Sequence, residues 1–594
     1  MKTRRDFLQS AGIASSFGLA CNSMPVWSQD IRGASVGPRV TRTAVGANVV
    51  ATVHPLASQA AISVYSEGGN AVDAAIAAAL TLGVVDGHNS GLGGGCLVLI
   101  RSSSGTIIAI DGREKAPFAA KPEMFLRDGK PSVDLSQNGP LAIAVPGQLA
   151  ALHKAHSLLG KTSWKKLFAP AIQIAREGYE IGEATHHAIA SETEHLRKYE
   201  SSRLTLLNPN GKAIAVGEQL RQPDLSDTLR QISIYGPDWF YSGDFASRCS
   251  SYIKWLGGVL TKSDLVNYQA VERKPVESIY RTHRVFGFPT PSSGGIHIAQ
   301  MLSIIENFDV AGIYQESPAK FYHLLAETMK LAFADRAHWL GDSDFVQVPS
   351  FLIDKAYAKE LSKRIELAKA TPVAGHGTGI GSESDKKHTT HLTTADADGN
   401  WVAITNTVNT SWGSKVMVPG TGIMLNNEMD DFSIAPGVPN AFGLIGSEAN
   451  AVAPNKRPLS SMSPSIVVRQ DGTPWFTCGA AGGPKIINAT LQNIVRCIDL
   501  QQPLNTAISS ARVHHQWRPN SLSVESGLGG LRIAKSDANS PNELHDSIVK
   551  QLEAAGHEVK HANSLAIAQG IQQTDKGLLA VSDPRTAGSA MARS

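Results

Sequence analysis

The chain has 594 residues, of which 42% are hydrophobic and 18% charged, so it can build a large core and is not a disordered chain. Its 55 Lys and Arg residues nearly balance its 52 Asp and Glu residues, and the absence of any basic run argues against a nucleic-acid partner. Glycine supplies 54 residues, and the cluster at residues 91–95 predicts a loop where the backbone approaches another group closely.

The first 28 residues have the pattern of an export signal. Arg4 and Arg5 precede Phe7 and Leu8, and the mild apolar stretch over residues 11–20 is too short to span a bilayer. The paired arginines resemble a twin-arginine signal, which directs export of folded proteins across the inner membrane of bacteria. We therefore expect a mature chain that begins near Gln29 and acts in the periplasm or outside the cell.

The cysteines give no sign of a metal site. Beyond Cys21 they are Cys96, Cys249, Cys478 and Cys497, which are widely spaced and form no C-x-x-C pair. Buried free thiols are the expected state, and a Cys478–Cys497 bridge stays open as an alternative. The sequence also lacks a His-Glu-x-x-His motif, so we expect neither a metal nor a cofactor.

The first clear element is a helix that Asn70 caps and that continues through an apolar run to Val85, with Asp73 in its first turn. The glycine loop at residues 91–95 follows, and then a strand from Cys96 to Ile100. Dinucleotide and P-loop sites require the opposite order, in which a strand precedes the glycines and a helix follows them. The glycine loop therefore does not indicate a nucleotide site.

A second helix begins at Ser317 and Pro318, and Gly341 is its predicted stop. Residues 371–387 are rich in Gly, Ser and Thr and nearly free of large apolar groups, which predicts a mobile linker. Strand-type residues begin directly after it.

A β-hairpin is predicted around Asp396 and Gly399, with Gly399 in the left-handed region and Asp396 paired with Asn400. Continuing this register places Thr389 opposite Thr407 and His391 opposite Thr405, with Asn409 two residues further on the same face. On this pattern alone, an ordinary half-exposed strand pair is the favoured interpretation, because Thr has high β-propensity.

The linker before this strand suggests a different role for Thr389. Cleavage there would make Thr389 a new N-terminus, and its α-amino group, with a pKa of about 7.7–8.0, would serve as the base for its own hydroxyl. Thr407 would orient that hydroxyl. Attack of the same hydroxyl on the His388 carbonyl would cleave the chain through an N-to-O acyl shift.

The sequence resembles the γ-glutamyltransferases, or glutathione hydrolases, which are N-terminal nucleophile hydrolases that cleave themselves into two subunits. The resemblance spans nearly the whole mature chain. It rests on motifs that together are highly specific: residues 68–75 (GGNAVDAA), 90–95 (SGLGGG), 111–117 (DGREKAP), 291–295 (PSSGG), 389–391 (TTH), 425–432 (LNNEMDDF), 457–464 (RPLSSMSP) and 481–483 (AGG).

The resemblance implies a role for each site residue. Thr389 would be the nucleophile and Thr407 its hydrogen-bonding partner, while the amides of Gly482 and Gly483 would form the oxyanion hole. The substrate's α-carboxylate would bind Arg113, Ser460 and Ser461. Its α-ammonium would bind Asn409, Glu428 and Asp431, which explains a preference for a zwitterionic γ-glutamyl head. Taken singly, Arg113 is as typical of a structural ion pair as of a binding site, and the pairs at residues 430–431, 460–461 and 482–483 are more typical of a solvated turn, loop hydroxyls and a turn.

Three positions depart from the family pattern. Lys485 stands where an arginine is common, and lysine cannot reproduce a bidentate contact. Phe442 replaces a frequent tyrosine in the segment at residues 437–446 that resembles the family's lid, which predicts easier water entry and relatively more hydrolysis. His388 replaces the usual residue before the nucleophile, with an effect on maturation that the sequence leaves open.

The resemblance implies an α/β enzyme with the four-layered αββα sandwich of the N-terminal nucleophile hydrolases. A large subunit over residues 29–388 and a small subunit over residues 389–594 would form a heterodimer. The enzyme would cleave glutathione or other γ-glutamyl compounds and pass the γ-glutamyl group to water, amino acids or peptides. The alternatives are an acylase or small-amide hydrolase on the same scaffold, and an uncleaved periplasmic amino-acid-binding protein.

Overall fold

A computed structural model of the chain describes residues 41–373, 388–435, 438–529 and 543–594. The predicted signal peptide and most of the predicted linker lie outside these residues. Within them, no helix is both long and apolar enough to cross a membrane. The four cysteines of the described part are buried free thiols, as expected.

Two seven-stranded antiparallel sheets form the centre of the fold. Sheet I contains, in spatial order, Ser589–Arg593, Asn48–Thr52, Thr390–Ala395, Trp401–Thr407, Gly95–Arg101, Ile107–Gly112 and Val271–Arg273. Sheet II contains Arg42–Gly46, Gly577–Ser582, Ile567–Thr574, Pro474–Ala481, Ser465–Val468, His283–Gly287 and Val276–Tyr280. In the smaller sheets, Leu522–Glu525 lies between Val513–His514 and Val559–Ala562, Leu126–Arg127 pairs with Lys130–Pro131, and Tyr179–Glu180 pairs with Gln219–Leu220.

Helices cover the outer face of each sheet. The α-helices are Pro55–Ser66, Ala71–Val85, Val133–Gln137, Gln148–Leu159, Trp164–Leu167, Ala169–Glu177, Glu183–Leu196, Glu200–Leu206, Pro223–Tyr235, Asp238–Tyr241, Asp244–Trp255, Lys262–Val266, Gly294–Ile305, Val310–Glu316, Pro318–Trp339, Lys355–Ser362, Lys485–Ile498, Leu504–Ser509 and Glu543–Ala554. Single 3₁₀ turns occur at Pro122–Phe125, Pro140–Ala142, Ser350–Ile353, Glu428–Asp431 and Glu448–Asn450.

The alternation of side chains along the strands explains the layering. In the strand Gly95–Arg101, Val98 and Ile100 pack with the helices that include Ala71–Val85, whereas Leu97 and Leu99 pack into the core of sheet II. Successive residues of a strand point to opposite faces, so a strand that is apolar on both faces must lie between two layers. The predicted αββα sandwich is confirmed.

Local signals placed the main elements correctly. Asn70 caps the helix Ala71–Val85 through the N–H groups of Val72 and Asp73, and Asp73 returns a bond to the Asn70 N–H. The second predicted helix begins after Ser317 and ends at Trp339, two residues before the predicted stop at Gly341. The hairpin register is also as predicted, since His391 pairs with Thr405 and the Asp396 N–H donates to the Asn400 carbonyl.

Candidate active site

Thr389 lies immediately before the first residue of the strand Thr390–Ala395 and is buried. Its Oγ1 lies 3.0 Å from the Oγ1 of Thr407, at the end of the neighbouring strand. The ladder ends at the pair Thr390 and Asn406, and the two residues just beyond this pair meet through their hydroxyls. The predicted pairing of Thr389 with Thr407 is therefore present.

Asn409 reaches the site by a different route from the predicted one. The strand ends at Thr407, and Asn409 adopts a left-handed backbone with φ of 76°. Its N–H donates to Thr407 Oγ1 at 2.8 Å, and its Nδ2 donates to the Asn427 carbonyl at 2.9 Å. The expectation that Asn409 continues the strand face was wrong, because the chain turns at this point and asparagine tolerates the positive φ.

Arg113 follows the strand Ile107–Gly112 and is only 1% exposed. Its Nη2 donates to Asp431 Oδ2 at 2.5 Å, its Nη1 donates to Glu428, and its Nε donates to the Pro458 carbonyl at 3.0 Å. Both terminal nitrogens thus face carboxylates. The guanidinium fork is held in one orientation from three sides.

A short 3₁₀ turn brings the two carboxylates together. Residues three apart lie above one another in a 3₁₀ turn, so Glu428 and Asp431 face the same side and both reach Arg113. Asp430 points elsewhere, where it accepts from Ser136 Oγ at 2.6 Å and from the Ala441 N–H at 2.8 Å. The pair at residues 430–431 is therefore not a solvated turn.

The predicted carboxylate-binding serines are held by a separate motif. The Ser460 N–H donates to the Pro291 carbonyl at 2.8 Å, and the Ser460 carbonyl accepts from the Ser293 N–H at 2.9 Å. These bonds form a parallel bridge between Ser292 and Ser460. The sequence motif at residues 291–295 thus fixes the backbone on which Ser460 and Ser461 lie.

Gly482 and Gly483 follow the sheet II strand Pro474–Ala481. Gly483 has φ of 59°, and a Cβ on it would lie 2.7 Å from the ring of Phe442. Gly482 has φ of 133°, and its N–H donates to the His388 carbonyl at 3.0 Å. Both positions favour glycine because side-chain-bearing residues rarely adopt such backbone angles.

The predicted site residues line one cavity, with a single exception. The cavity is lined by Arg113, Thr389, Thr407, Asn409, Glu428, Asp431, Phe442, Leu444, Ser460, Ser461, Met462, Gly483 and Ile486. The exception is Gly482, which precedes the lining residue Gly483 in the chain. The lining thus combines one strand residue of sheet I, Thr407, with residues from the loops, the 3₁₀ turn and the helix around it.

The buried charges perturb one another strongly. Burial raises the pKa of Glu428 well above its usual range, and the neighbouring Glu114 and Asp431 add to the effect while Arg113 opposes it. Burial likewise raises the pKa of Glu114 to about 7, against the attraction of Arg113. Burial also lowers the pKa of Arg113, but the carboxylates around it outweigh burial and raise it overall. Such mutual perturbation is typical of functional sites.

Two charged residues near the cavity were missed by the sequence analysis. Glu114 Oε2 lies 3.5 Å from Arg113 Nη1, and both Glu114 oxygens lack a hydrogen bond within the described part of the chain. Arg336 donates through Nε to Ser293 Oγ at 3.2 Å and through Nη2 to Ser461 Oγ at 3.5 Å. The adjacency of Glu114 to Arg113 was a usable signal. Arg336 gave none, because it lies in a long helix with several other charges.

The glycine loop at residues 91–95 has a packing role. A Cβ on Gly94 would lie 1.9 Å from the Thr407 carbonyl oxygen, and the Asn426 N–H donates to the Gly93 carbonyl at 3.0 Å. The group that this backbone approaches is therefore the end of the hairpin that carries Thr407. The interpretation as a non-nucleotide loop agrees with this contact.

The departures Phe442 and Lys485 also lie near the cavity. Phe442 packs beside Gly483, and its ring centroid lies 6.5 Å from that of His388. Lys485 is buried at the start of the helix Lys485–Ile498. Their effects on turnover stay predictions.

Comparison with known proteins connects this site to one family. The family described as Gamma-glutamyltranspeptidase matches residues 57–593. The chain is 41% identical over 542 residues to the glutathione hydrolase proenzyme of Escherichia coli strain K12, covering 91% of this chain and 90% of the relative. It is 37% identical over 552 residues to the glutathione hydrolase proenzyme of Pseudomonas aeruginosa, covering 91% and 93% respectively.

Solved structures agree with the fold. The cephalosporin acylase of Bacillus halodurans superposes with a TM-score of 0.80 at 26% identity, covering 96% of this chain and all of that one. The gamma-glutamyltranspeptidase of Helicobacter pylori superposes with a TM-score of 0.53 at 37% identity, covering 58% of this chain and 95% of that one. With the family match spanning most of the described fold, the chain belongs to the gamma-glutamyltranspeptidase family.

Proposed function

We propose that this enzyme, a γ-glutamyltransferase and glutathione hydrolase, works through Thr389 as an N-terminal nucleophile. Thr389 Oγ1 attacks the γ-amide carbonyl of a γ-glutamyl compound and forms a γ-glutamyl ester as the amine leaves. Water or an acceptor amine then resolves the ester. The observation that carries the proposal is the meeting of the Thr389–Thr407 hydroxyl pair with Arg113, Glu428 and Asp431 in one cavity.

Thr407 is suited to support the nucleophile. Its Oγ1 accepts the Asn409 N–H, so its own hydrogen remains available for Thr389 Oγ1 at 3.0 Å. That bond stabilises the oxygen of Thr389 as its proton leaves. The proton acceptor is the α-amino group of Thr389, which exists only after the bond to His388 is cut.

The charges around Arg113 fit a zwitterionic head group. Arg113 faces two carboxylates, Glu428 and Asp431, in the structure. An α-carboxylate would bind the guanidinium together with Ser460 and Ser461, and an α-ammonium would take over the carboxylates with Asn409. When the substrate binds, Arg113 would thus pair with the α-carboxylate, and the two protein carboxylates would pair with the α-ammonium. No charge would be left buried without an opposite charge.

The same geometry disfavours the acylase alternative. A glutaryl group carries a terminal carboxylate but no ammonium, so it would leave Glu428 and Asp431 without a new cationic partner. The similarity to a cephalosporin acylase concerns the scaffold, at 26% identity. We therefore expect γ-glutamyl anilide to exceed glutaryl anilide in kcat/KM by about 100-fold, the equivalent of about 3 kcal/mol from lost charged hydrogen bonds.

We also propose the maturation and location of the enzyme. Residues 1–28 direct export, cleavage between His388 and Thr389 yields chains of residues 29–388 and 389–594, and the two remain together as a heterodimer. The pairing of Thr390–Ala395 with Asn48–Thr52 over three residue pairs supports this association, since one strand comes from each chain. Replacing Arg4 and Arg5 by lysine is expected to retain the protein in the cytoplasm, as measured by cell fractionation.

The nucleophile assignment is tested by Thr389→Ala and Thr389→Ser. The alanine variant is expected to stay one chain on denaturing electrophoresis and to show no turnover of γ-glutamyl anilide. The serine variant keeps a hydroxyl and is expected to be cut and to turn over more slowly. Wild-type turnover by the alanine variant would contradict the assignment, and a single uncut chain in the wild type would favour the binding-protein alternative.

A further inference from the structure

The carbonyl of the peptide bond predicted to be cut already has an oxyanion-type donor. The His388 carbonyl accepts the Gly482 N–H at 3.0 Å. His388 is buried with 6% exposure, so water competes little for this carbonyl. A hydrogen bond to a carbonyl becomes stronger when that oxygen gains negative charge. The donor is therefore placed to stabilise attack on His388.

The backbone at the predicted cleavage point is strained. Thr389 has φ of 86°, an uncommon conformation for a β-branched residue. Conformations of this kind are energetically unfavourable and persist only where the surrounding structure imposes them. Here the imposing contacts are the hydroxyl bond to Thr407 and the ladder that begins at Thr390. Cleavage before Thr389 would release this strain.

The direction of the Gly482 N–H is fixed by sheet II. Ala481 is the last residue of its strand and pairs with Ile567. Gly482 then turns with φ of 133°, and a Cβ there would lie 3.1 Å from Ala566 Cα. The turn thus aims the N–H of Gly482 away from its own sheet and toward the carbonyl of His388, two residues before the sheet I strand.

We propose that Gly482 acts in two successive reactions, first in self-cleavage of the chain and then in substrate turnover. This inference rests on the proposed function of Thr389. In self-cleavage, the bond from Thr389 Oγ1 to the His388 carbonyl carbon forms, and Gly482 stabilises the resulting oxyanion. The bond from that carbon to the Thr389 nitrogen then breaks, and the proton lost by the hydroxyl ends on the nitrogen.

Hydrolysis completes the maturation. Water attacks the ester that joins His388 to Thr389 Oγ1, which releases a carboxylate on His388 and restores the Thr389 hydroxyl beside a free α-amino group. The His388 carbonyl then no longer accepts the hydrogen bond from the Gly482 N–H. The oxyanion hole is thus blocked by the chain itself until the cut is made, so a single event supplies both the base and the donor for turnover.

The proposal is tested by removing one N–H without changing a side chain. Cell-free translation with glycolic acid at position 482 replaces the amide N–H by an ester oxygen, and glycolic acid at position 483 is the matched control. We expect the change at 482 to slow self-cleavage by about 100- to 1000-fold, the typical effect of losing one oxyanion donor. The change at 483 is expected to leave self-cleavage within a few-fold of wild type while reducing γ-glutamyl turnover.

Hydroxylamine separates the two steps of maturation. It cleaves the ester intermediate directly, so it will not restore cleavage if the missing N–H slows the first step. Self-cleavage at the wild-type rate with glycolic acid at 482, or full restoration by hydroxylamine, would overturn the proposal. Circular dichroism of the same substitution in the Thr389→Ala chain checks the fold. Failure of the wild-type chain to cleave before Thr389 would instead refute the proposed function.

Discussion

At the scale of single residues, the site is organised by one guanidinium among three carboxyl groups. Arg113 contacts Glu114, Glu428 and Asp431, and Arg336 adds a second positive charge behind Ser461. The motifs predicted Arg113, Glu428 and Asp431 because these residues lie in characteristic segments. They could not predict that the carboxylates bind Arg113 directly, since this depends on how two distant segments pack.

Replacing Arg113 by lysine tests the head-group assignment. Lysine keeps the positive charge but loses the planar fork, so we expect kcat/KM for γ-glutamyl anilide to fall about 100-fold, or about 3 kcal/mol, mainly through KM. Self-cleavage is expected to proceed, because His388 and Thr389 do not need the head-group site. The measurement is steady-state kinetics on the purified, matured protein.

Arg273→Lys is the matched control. Arg273 also pairs with buried acid, donating to Asp111 Oδ2 at 2.6 Å, but it does not line the cavity. Its replacement is expected to change stability and leave KM near the wild-type value. Equal loss of affinity in both variants would show that Arg113 supports the fold and does not select the substrate.

At the scale of elements, the hairpin and the capped helix were predictable because their signals are local. Gly399 with φ of 88° and the Asp396–Asn400 pairing set the register, and Asn70 sets the helix start. Asn409 was misplaced because its turn depends on a bond to Asn427, which lies in another segment.

The segment before the predicted linker is bound to the buried helix Pro318–Trp339. The Thr371 N–H donates to Glu327 Oε2 at 2.9 Å, and Lys330 Nζ donates to the Thr371 carbonyl at 2.7 Å. Glu327 and Lys330 also pair with each other at 2.6 Å in the interior. His323 Nε2 lies 2.8 Å from the Glu366 carbonyl. Two successive turns of one buried helix, residues 323–330, thus contact the segment at residues 366–371.

Lys330→Met is expected to destabilise the chain strongly, because it leaves the Glu327 carboxylate buried without its cation. Breaking a buried pair typically costs about 3–5 kcal/mol. The measurement is urea unfolding in the Thr389→Ala background, where the chain is expected to stay intact. Lys320→Met in the same helix breaks an exposed pair with Glu316 and is expected to cost under about 1 kcal/mol. Equal costs would refute the role of the buried pair.

At the scale of the whole molecule, the sandwich buries neutral histidines along with its apolar core. Burial lowers the pKa of His391 to about 3, and burial with a smaller effect of Arg336 lowers the pKa of His297 to about 3. Burial shifts the pKa of a carboxyl group in the opposite direction, and it raises the pKa of Asp86 to about 7. The αββα fold followed from the family resemblance, whereas these burial effects depend on the packed structure.

His297→Gln isolates one of these effects. The folded pKa of His297 lies below its unfolded value of about 6.5, so between these values the unfolded chain binds more protons and stability falls as pH falls. From pH 7.5 to pH 5, the wild type is expected to lose about 2 kcal/mol relative to the variant, from about 1.5 pKa units at about 1.4 kcal/mol each. Urea unfolding at both pH values measures the free energy of unfolding of the two proteins. A difference in this free energy between wild type and variant that does not change with pH would contradict the prediction.

The central claim is that catalysis uses the hydroxyl of a threonine whose own nitrogen has been freed. The most direct measurement is mass spectrometry of the protein quenched in acid during turnover of a γ-glutamyl substrate. The account predicts one γ-glutamyl group on the chain that begins at Thr389, located on Thr389 itself by peptide mapping. A γ-glutamyl group on any other residue, or turnover by chains still joined to His388, would contradict it.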